Sequence, residues 1–117
     1  MKTLTKKLLG ELVEKALQTE NPYISNSTIY AIDKVTHYIF ADGKSYTKEE
    51  LDTEYRKSAE KDIQNGYRDR MVGYYDKWYR YNKMDGGYAY DLGVKAATAN
   101  SNCVSEMHII EVIEAMG

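Results

Sequence analysis

Three side chains in this sequence belong to residue types that often carry out covalent or metal chemistry: Cys103, His37 and His108. A reactive thiolate needs a proton acceptor beside it, and His108 follows Cys103 closely enough to be considered for that role. No further residue supports the pair as an orienting third group, and the metal-binding spacings CxxC, HxxxH and HExxH do not occur. We therefore expect a protein that is not an enzyme and that uses neither a metal nor a cofactor.

The stretch 67–81, YRDRMVGYYDKWYRY, interleaves aromatic and basic side chains. It holds the single Trp of the chain and five of its twelve Tyr. These residue types dominate binding hot spots, because Tyr and Trp offer large rigid contact areas and Arg offers bidentate hydrogen bonds. They also suit RNA, whose bases stack on aromatic rings. The candidate partner-binding residues of this stretch are Arg68, Arg70, Tyr75, Lys77, Tyr79, Arg80 and Tyr81.

The same stretch can also be interpreted as a packed helix over 67–83. At about 100° per residue, Tyr67, Met71, Tyr74 and Trp78 fall on one stripe of that helix. A helix with a wide apolar face usually packs against other elements, so this stripe is expected to be the spine of the core. The binding prediction then narrows to the flank and the polar edge of the stripe, which hold Tyr75, Lys77, Tyr79, Arg80 and Tyr81.

The clearest local signal is the sequence Thr47-Lys48-Glu49-Glu50. It has the spacing of a capping box, in which the Thr47 hydroxyl accepts the Glu50 amide and the Glu50 carboxylate accepts the Thr47 amide. The pattern predicts a helix over 47–64. Asn65 and Gly66 then predict a helix stop or a kink before the aromatic helix begins.

The remaining elements predict an α+β fold in a single domain over 1–117, with an N-terminal helix, a small antiparallel sheet and two to three C-terminal helices packed on it. Apolar residues at three- and four-residue spacings predict an amphipathic helix over 4–18. Alternating β-branched and aromatic residues predict strands over 28–32 and 36–40, and Asp42 and Gly43 predict a hairpin turn before a short strand over 44–46. The alternative for 1–36 is a helix-turn-helix.

The C-terminal third of the chain is expected to hold one further helix and one further strand. Ala89, Leu92, Val94 and Ala96 can pack from a helix over 88–99. The tail over 105–116 is open to two interpretations, because its apolar residues suit a helix face and IIEVI also suits a short buried strand. We favour a strand that joins the sheet of the hairpin.

Length, charge and cysteine content restrict the class of protein. The net charge of −2 and the estimated pI of 5.7 argue against a basic protein that coats duplex DNA. A single cysteine cannot form an internal disulfide, which fits a reducing cytoplasm. Because acidic residues interrupt the N-terminal apolar pattern, we expect no signal peptide and no membrane span.

The segment MVGYYDKWYRYNKMDGGYAYDLGVKAATANSNCVSEMHIIE covers about a third of the chain. It resembles a segment of small proteins of mobile elements (phages and conjugative elements) in Gram-positive bacteria. Some proteins of this size and origin are anti-CRISPR proteins, which block the RNA-guided nuclease of type II systems. The resemblance implies a non-enzymatic inhibitor in the cytoplasm of the bacterial host, whose partner is that nuclease or its RNA complex.

Such a nuclease holds its heteroduplex through the backbone in a strongly basic channel. Carboxylates of a small inhibitor could stand in for the phosphates there. The first candidates are Glu49, Glu50 and Glu54 with the neighbouring Asp52, Glu60 and Asp62, and a second set is Glu106, Glu111 and Glu114. The alternative function is a nucleic-acid-binding accessory or regulatory protein of a mobile element, motivated by the basic side chains of 67–81.

Overall fold

The computed structural model describes residues 3–19, 21–25, 27–74, 85, 87–102 and 104–116. Its helices are α1 (Lys6–Leu17), α2 (Pro22–Ser25), α3 (Lys48–Met71), α4 (Tyr88–Ser101) and α5 (Ile109–Met116), with a 3₁₀ turn at Glu106–His108. Its strands are β1 (Thr28–Ile32), β2 (Val35–Ile39) and β3 (Ser45–Thr47). The predicted α+β class is confirmed.

Helix α1 begins where the sequence predicts. The Thr5 hydroxyl accepts the Leu8 amide at 3.2 Å and so caps one of the open N–H groups of the first turn. The face formed by Leu8, Leu12 and Ala16 is buried, as expected of an amphipathic helix.

The three strands form one antiparallel sheet in the order β1-β2-β3. Asp33 and Lys34 connect β1 to β2 with positive φ angles of 48° and 69°, the conformation of the tight turn whose twist matches that of the strands. Gly43, with φ 83°, serves the second turn, where its amide donates to the Phe40 carbonyl at 2.9 Å. The predicted strands are confirmed, and the helix-turn-helix alternative for 1–36 is wrong.

Helix α3 starts with the predicted capping box. The Glu50 amide donates to the Thr47 hydroxyl at 3.3 Å, and the Thr47 amide donates to the Glu50 carboxylate at 3.0 Å. The predicted helix stop at Asn65 and Gly66 is wrong, because α3 runs without interruption to Met71.

Gly66 has a packing role that explains why a helix carries it. A Cβ there would collide with the carbonyl oxygen of Tyr90 and approach the amide nitrogen of Val94 to 3.2 Å. The reciprocal glycine of α4, Gly93, faces α3 in the same way, since a Cβ on it would collide with the Ile63 carbonyl. The two helices therefore touch through their backbones, which only residues without side chains permit.

The core lies between α1, α3, α4 and α5. Its larger side chains are Leu8, Leu12, Tyr55, Ile63, Tyr67, Leu92, Ile109 and Ile113, and the alanines of α4 fill the space between them. Tyr67 is buried and Met71 packs at the edge of this core, as the stripe predicts. Tyr74 is 74% exposed, so its prediction as a core residue is wrong: α3 ends at Met71 and the chain turns before Tyr74. Trp78 lies outside the described residues.

The tail is a helix, so the favoured strand over 105–116 is wrong. Helix α5 places Ile109 and Ile113 on one face, and both side chains are buried against the core. Residues four apart share a helix face, so both isoleucines of α5 can pack on the core together. The helix predicted over 88–99 is confirmed as α4.

Candidate functional site

The two described basic candidates bind within the chain. The guanidinium of Arg68, whose side chain is exposed, donates from Nε and Nη2 to Asp69 Oδ1 at 3.2 and 3.1 Å. Arg70 Nε donates to the Thr98 hydroxyl at 3.1 Å and so links α3 to α4. Arg70 therefore serves the helix contact, and Arg68 is the one of the two that presents its side chain to solvent.

The other candidates of the aromatic stretch, Tyr75, Lys77, Tyr79, Arg80 and Tyr81, lie outside the described residues, and their prediction stays a prediction. Cys103 lies outside them too. His108 is described, and its Nδ1 lies 2.7 Å from the Ser105 hydroxyl. Among the described residues, no group of three or more His, Cys, Asp or Glu side chains could hold a metal ion.

The buried Tyr55 joins α3 to the start of α4 through the carboxylate of Asp85. The Tyr55 hydroxyl donates to Asp85 Oδ2 at 3.0 Å, and Asp85 also accepts the amides of Gly87 and Ala89 at 2.9 and 3.2 Å. Burial, followed by the neighbouring Asp85 carboxylate, raises the pKa of the Tyr55 phenol well above its usual range. These contacts order the helices, and they do not form an open site.

Two of the acidic candidates line a common groove. Glu50 and Glu54, one helical turn apart on α3, line one groove together with Asp42 from the turn between β2 and β3. Glu49 is exposed in the same first turn of α3, outside the lining of the groove. The groove lies where the sheet meets α3, and its volume is about 630 Å³. We name it the acidic groove; its lining is Tyr23, Phe40, Asp42, Tyr46, Glu50, Leu51, Thr53 and Glu54.

Aromatic rings from three elements form the walls of the acidic groove. Phe40 follows β2 and Tyr46 belongs to β3, and their rings meet edge to face with centroids 5.4 Å apart. Tyr23 belongs to α2 and packs edge to face on the buried Tyr55 at 5.9 Å. Tyr23 is therefore held against a core residue, and Phe40 and Tyr46 are held against each other.

A buried asparagine fixes the α2 side of the groove. Asn21 Nδ2 donates to Asp52 Oδ1 at 2.7 Å, and Asn21 Oδ1 accepts the Tyr23 amide at 2.9 Å. Both polar ends of this amide are thus satisfied inside the protein, and α2 is tied to the acidic face of α3.

Among the residues that the structure describes, the lining of the acidic groove contains no Lys, Arg or His, so its carboxylates face no cation there. Asp42 accepts the Lys44 amide at 2.9 Å and Glu50 accepts the Thr47 amide, and each of these bonds uses one carboxylate oxygen. Glu54 lies 3.6 Å from Lys57, which is outside the lining, and both side chains are exposed. An exposed pair of this kind contributes little, about 0–1 kcal/mol, so Glu54 can exchange its partner.

Sequence reasoning identified Glu50 and Glu54 and missed the rest of the groove. The sequence predicts a strand at Phe40 and Tyr46 and a turn at Asp42; Tyr46 and Asp42 lie as predicted, and Phe40 directly follows the end of β2. Their joint role depends on how the hairpin folds back on α3. The available signal was the pair of rings flanking a short acidic turn, placed directly before an acidic helix.

Comparisons of the chain with protein-family models, with curated proteins and with solved structures gave no match. In the described part of the chain, no helix has both the length and the apolar character needed to cross a membrane.

Proposed function

We propose that the protein is a non-enzymatic inhibitor that binds an RNA-guided nuclease of a type II system through protein–protein contact in the bacterial cytoplasm. The observation that supports this proposal is the acidic groove, where Asp42, Glu50 and Glu54 gather and the described lining residues include no cation. The channels of such a nuclease are lined with basic side chains that hold the backbone of a heteroduplex. A groove with carboxylates is complementary to a surface of that kind.

Local charge matters more here than net charge. The protein as a whole carries only −2, so it is a weak long-range mimic of a nucleic acid. Close contact between carboxylates and Arg or Lys side chains instead provides specificity and accelerates association. Tyr23 packs on the buried Tyr55 and so loses little side-chain freedom on binding, which favours affinity.

A plasmid-interference assay with a panel of type II nucleases tests the proposal. We expect the wild-type protein to block interference by at least one nuclease and to be recovered with that nuclease from cell extract. Glu54→Lys should restore interference, because it places a cation in the acidic groove. Glu60→Lys is the matched control: Glu60 is exposed on the same helix, outside this groove, and its variant should still inhibit.

Full interference with every nuclease in the panel would overturn the proposal. Inhibition that survives Glu54→Lys but is lost in Arg68→Glu would instead favour the nucleic-acid-binding alternative. In that case gel shifts with single-stranded RNA and duplex DNA should show binding that weakens steeply with salt.

A further inference from the structure

The acidic groove combines aromatic rings with carboxylates, which is the chemistry that recognises an organic cation. We propose that the groove binds one arginine side chain of the partner, with the guanidinium on an aromatic ring and paired with a carboxylate of the rim. The identity of the partner rests on the proposed function, whereas the ligand chemistry rests on the groove alone.

The geometry of the ring pair is compatible with a cation on a ring face. The planes of Phe40 and Tyr46 are inclined by 70°, so one ring presents its edge to the other. The ring that presents its edge keeps both of its faces clear of that neighbour. A cation within about 6 Å of such a ring centre is attracted to the negative face of the ring.

The rim supplies the counter-charge at the same place. Asp42 and Glu50 come from two different elements, and each bonds its backbone partner through a single oxygen. Carboxylates so held are ready acceptors for the two parallel N–H groups of a guanidinium. Glu54 adds a third carboxylate whose pairing with Lys57 is weak and exposed.

Arginine fits this combination better than lysine. A guanidinium is planar, is weakly hydrated, stacks on aromatic faces and forms bidentate bonds with carboxylates. An ammonium is a strongly hydrated point charge, and it would give up more hydration for one contact of each kind. The groove is therefore expected to discriminate between the two cations and to reject a neutral isostere of arginine.

In the part of the chain that the structure describes, two other grooves lack this combination. One, between α1 and α5, contains Lys7 and Lys15 as well as acids, and Lys15 already pairs with Glu114 at 3.5 Å. The other, between α1 and α3, contains Lys6 and Arg56. No aromatic side chain is found among the described lining residues of either groove, and both already hold cations of the chain itself.

The test is a titration of the full-length protein with tetra-arginine, tetra-lysine and tetra-citrulline at low ionic strength, followed by NMR of the backbone amides. We expect tetra-arginine to shift the amides around the acidic groove and to bind about fivefold or more tightly than tetra-lysine. Tetra-citrulline should not bind. Equal affinity for arginine and lysine, or shifts confined to other surfaces, would overturn the proposal.

Two variants separate the ring from the charges. Phe40→Leu should weaken tetra-arginine binding about fivefold and leave tetra-lysine binding less affected, since it removes a stacking surface. Glu54→Gln should weaken both peptides, while Glu60→Gln, outside the groove, should weaken neither. If Phe40→Leu does not fold, the comparison of arginine with citrulline and the Glu54 and Glu60 pair still decide the matter.

The two proposals fail in different ways. Nuclease inhibition without a preference for arginine would contradict the proposed arginine site and support the proposed inhibitor. Selective arginine binding with full interference in every assay would support the arginine site and contradict the proposal that the nuclease is its target.

Discussion

The contact between α3 and α4 and the hairpin of β1 and β2 are built in opposite ways. The two helices meet backbone to backbone at Gly66 and Gly93. In the hairpin all five residues of β1 are exposed, and Ile29 keeps 55% of its surface in solvent. The helix contact leaves no space for an added methyl group at either glycine, whereas the exposed side chains of β1 are surrounded by solvent.

The side-chain contacts also differ between the helix pair and the hairpin. Across the helix pair, the Tyr90 hydroxyl donates to Asp69 at 2.8 Å and Asn100 donates to the Tyr67 hydroxyl at 2.5 Å. In the hairpin, the side-chain contact is a stacked ring pair of Tyr30 and His37 with centroids 6.3 Å apart on the exposed surface. The free energy of unfolding should therefore depend strongly on the helix pair and weakly on the outer face of the hairpin.

The largest effect is expected from Gly66→Ala. The added methyl group would collide with the backbone of α4, which cannot move aside as a side-chain end can. Overpacking typically costs about 1–3 kcal/mol and occasionally more, and the gain in helix propensity of about 1 kcal/mol offsets only part of it. We expect a loss of at least about 2 kcal/mol, measured by denaturant unfolding.

Gly10→Ala is the matched control for that substitution. Gly10 also lies inside a helix, but a Cβ there would meet no atom within 4 Å. The variant should be stabilised by up to about 1 kcal/mol through helix propensity alone. A Gly66→Ala protein as stable as Gly10→Ala would show that the helices do not pack as closely as described.

A smaller effect is expected from Tyr55→Phe, and it should depend on pH. The hydrogen bond to the Asp85 carboxylate is worth about 1.5–3 kcal/mol at neutral pH. Because the folded protein holds the pKa of Tyr55 above that of the unfolded chain, this phenol stabilises the fold fully below about pH 10. Above that pH the unfolded chain loses the proton first, and stability falls by up to about 1.4 kcal/mol per pH unit.

Unfolding experiments between neutral pH and about pH 11 measure this effect. Tyr55→Phe should be less stable at neutral pH and should lose less stability than the wild type as the pH rises. Tyr74→Phe, at an exposed tyrosine, should follow the wild type throughout. Identical pH profiles for all three proteins would contradict a buried phenol beside Asp85.

Local signals predicted most of the elements. The capping box at Thr47 and the apolar stripe of α1 depend on residues three or four apart, so the sequence alone contains them. Gly66 was misread because a glycine that ends a helix and a glycine that admits a second helix look alike in one sequence. The tail was misread because a short apolar run suits either period, and only its packing against the core decides between helix and strand.

The residues of the acidic groove also fall into two groups, those that the sequence predicts and those that it does not. Glu50 and Glu54 could be found because they lie one turn apart on a helix that its cap already predicts. Tyr23 and Phe40 reach the acidic groove only through the folding of α2 and of the second hairpin onto α3, and no spacing in the sequence encodes that contact. The proximity of side chains that are far apart in the sequence can therefore be seen only in the structure.

The smallest effect is expected from Ile32→Thr on the outer face of the hairpin. Ile32 is 43% exposed, and Thr keeps the β-branched shape that a strand favours, so the free energy of unfolding should change by less than about 0.5 kcal/mol. Ile113→Thr, the same change at a buried position of α5, should cost about 2 kcal/mol or more because it buries a hydroxyl and opens space in the core. Denaturant unfolding at several protein concentrations compares the two variants.

An equal loss of stability in Ile32→Thr and Ile113→Thr would mean that the hairpin face is covered in solution. If the stability also depended on protein concentration, the face would be covered by a second copy of the chain.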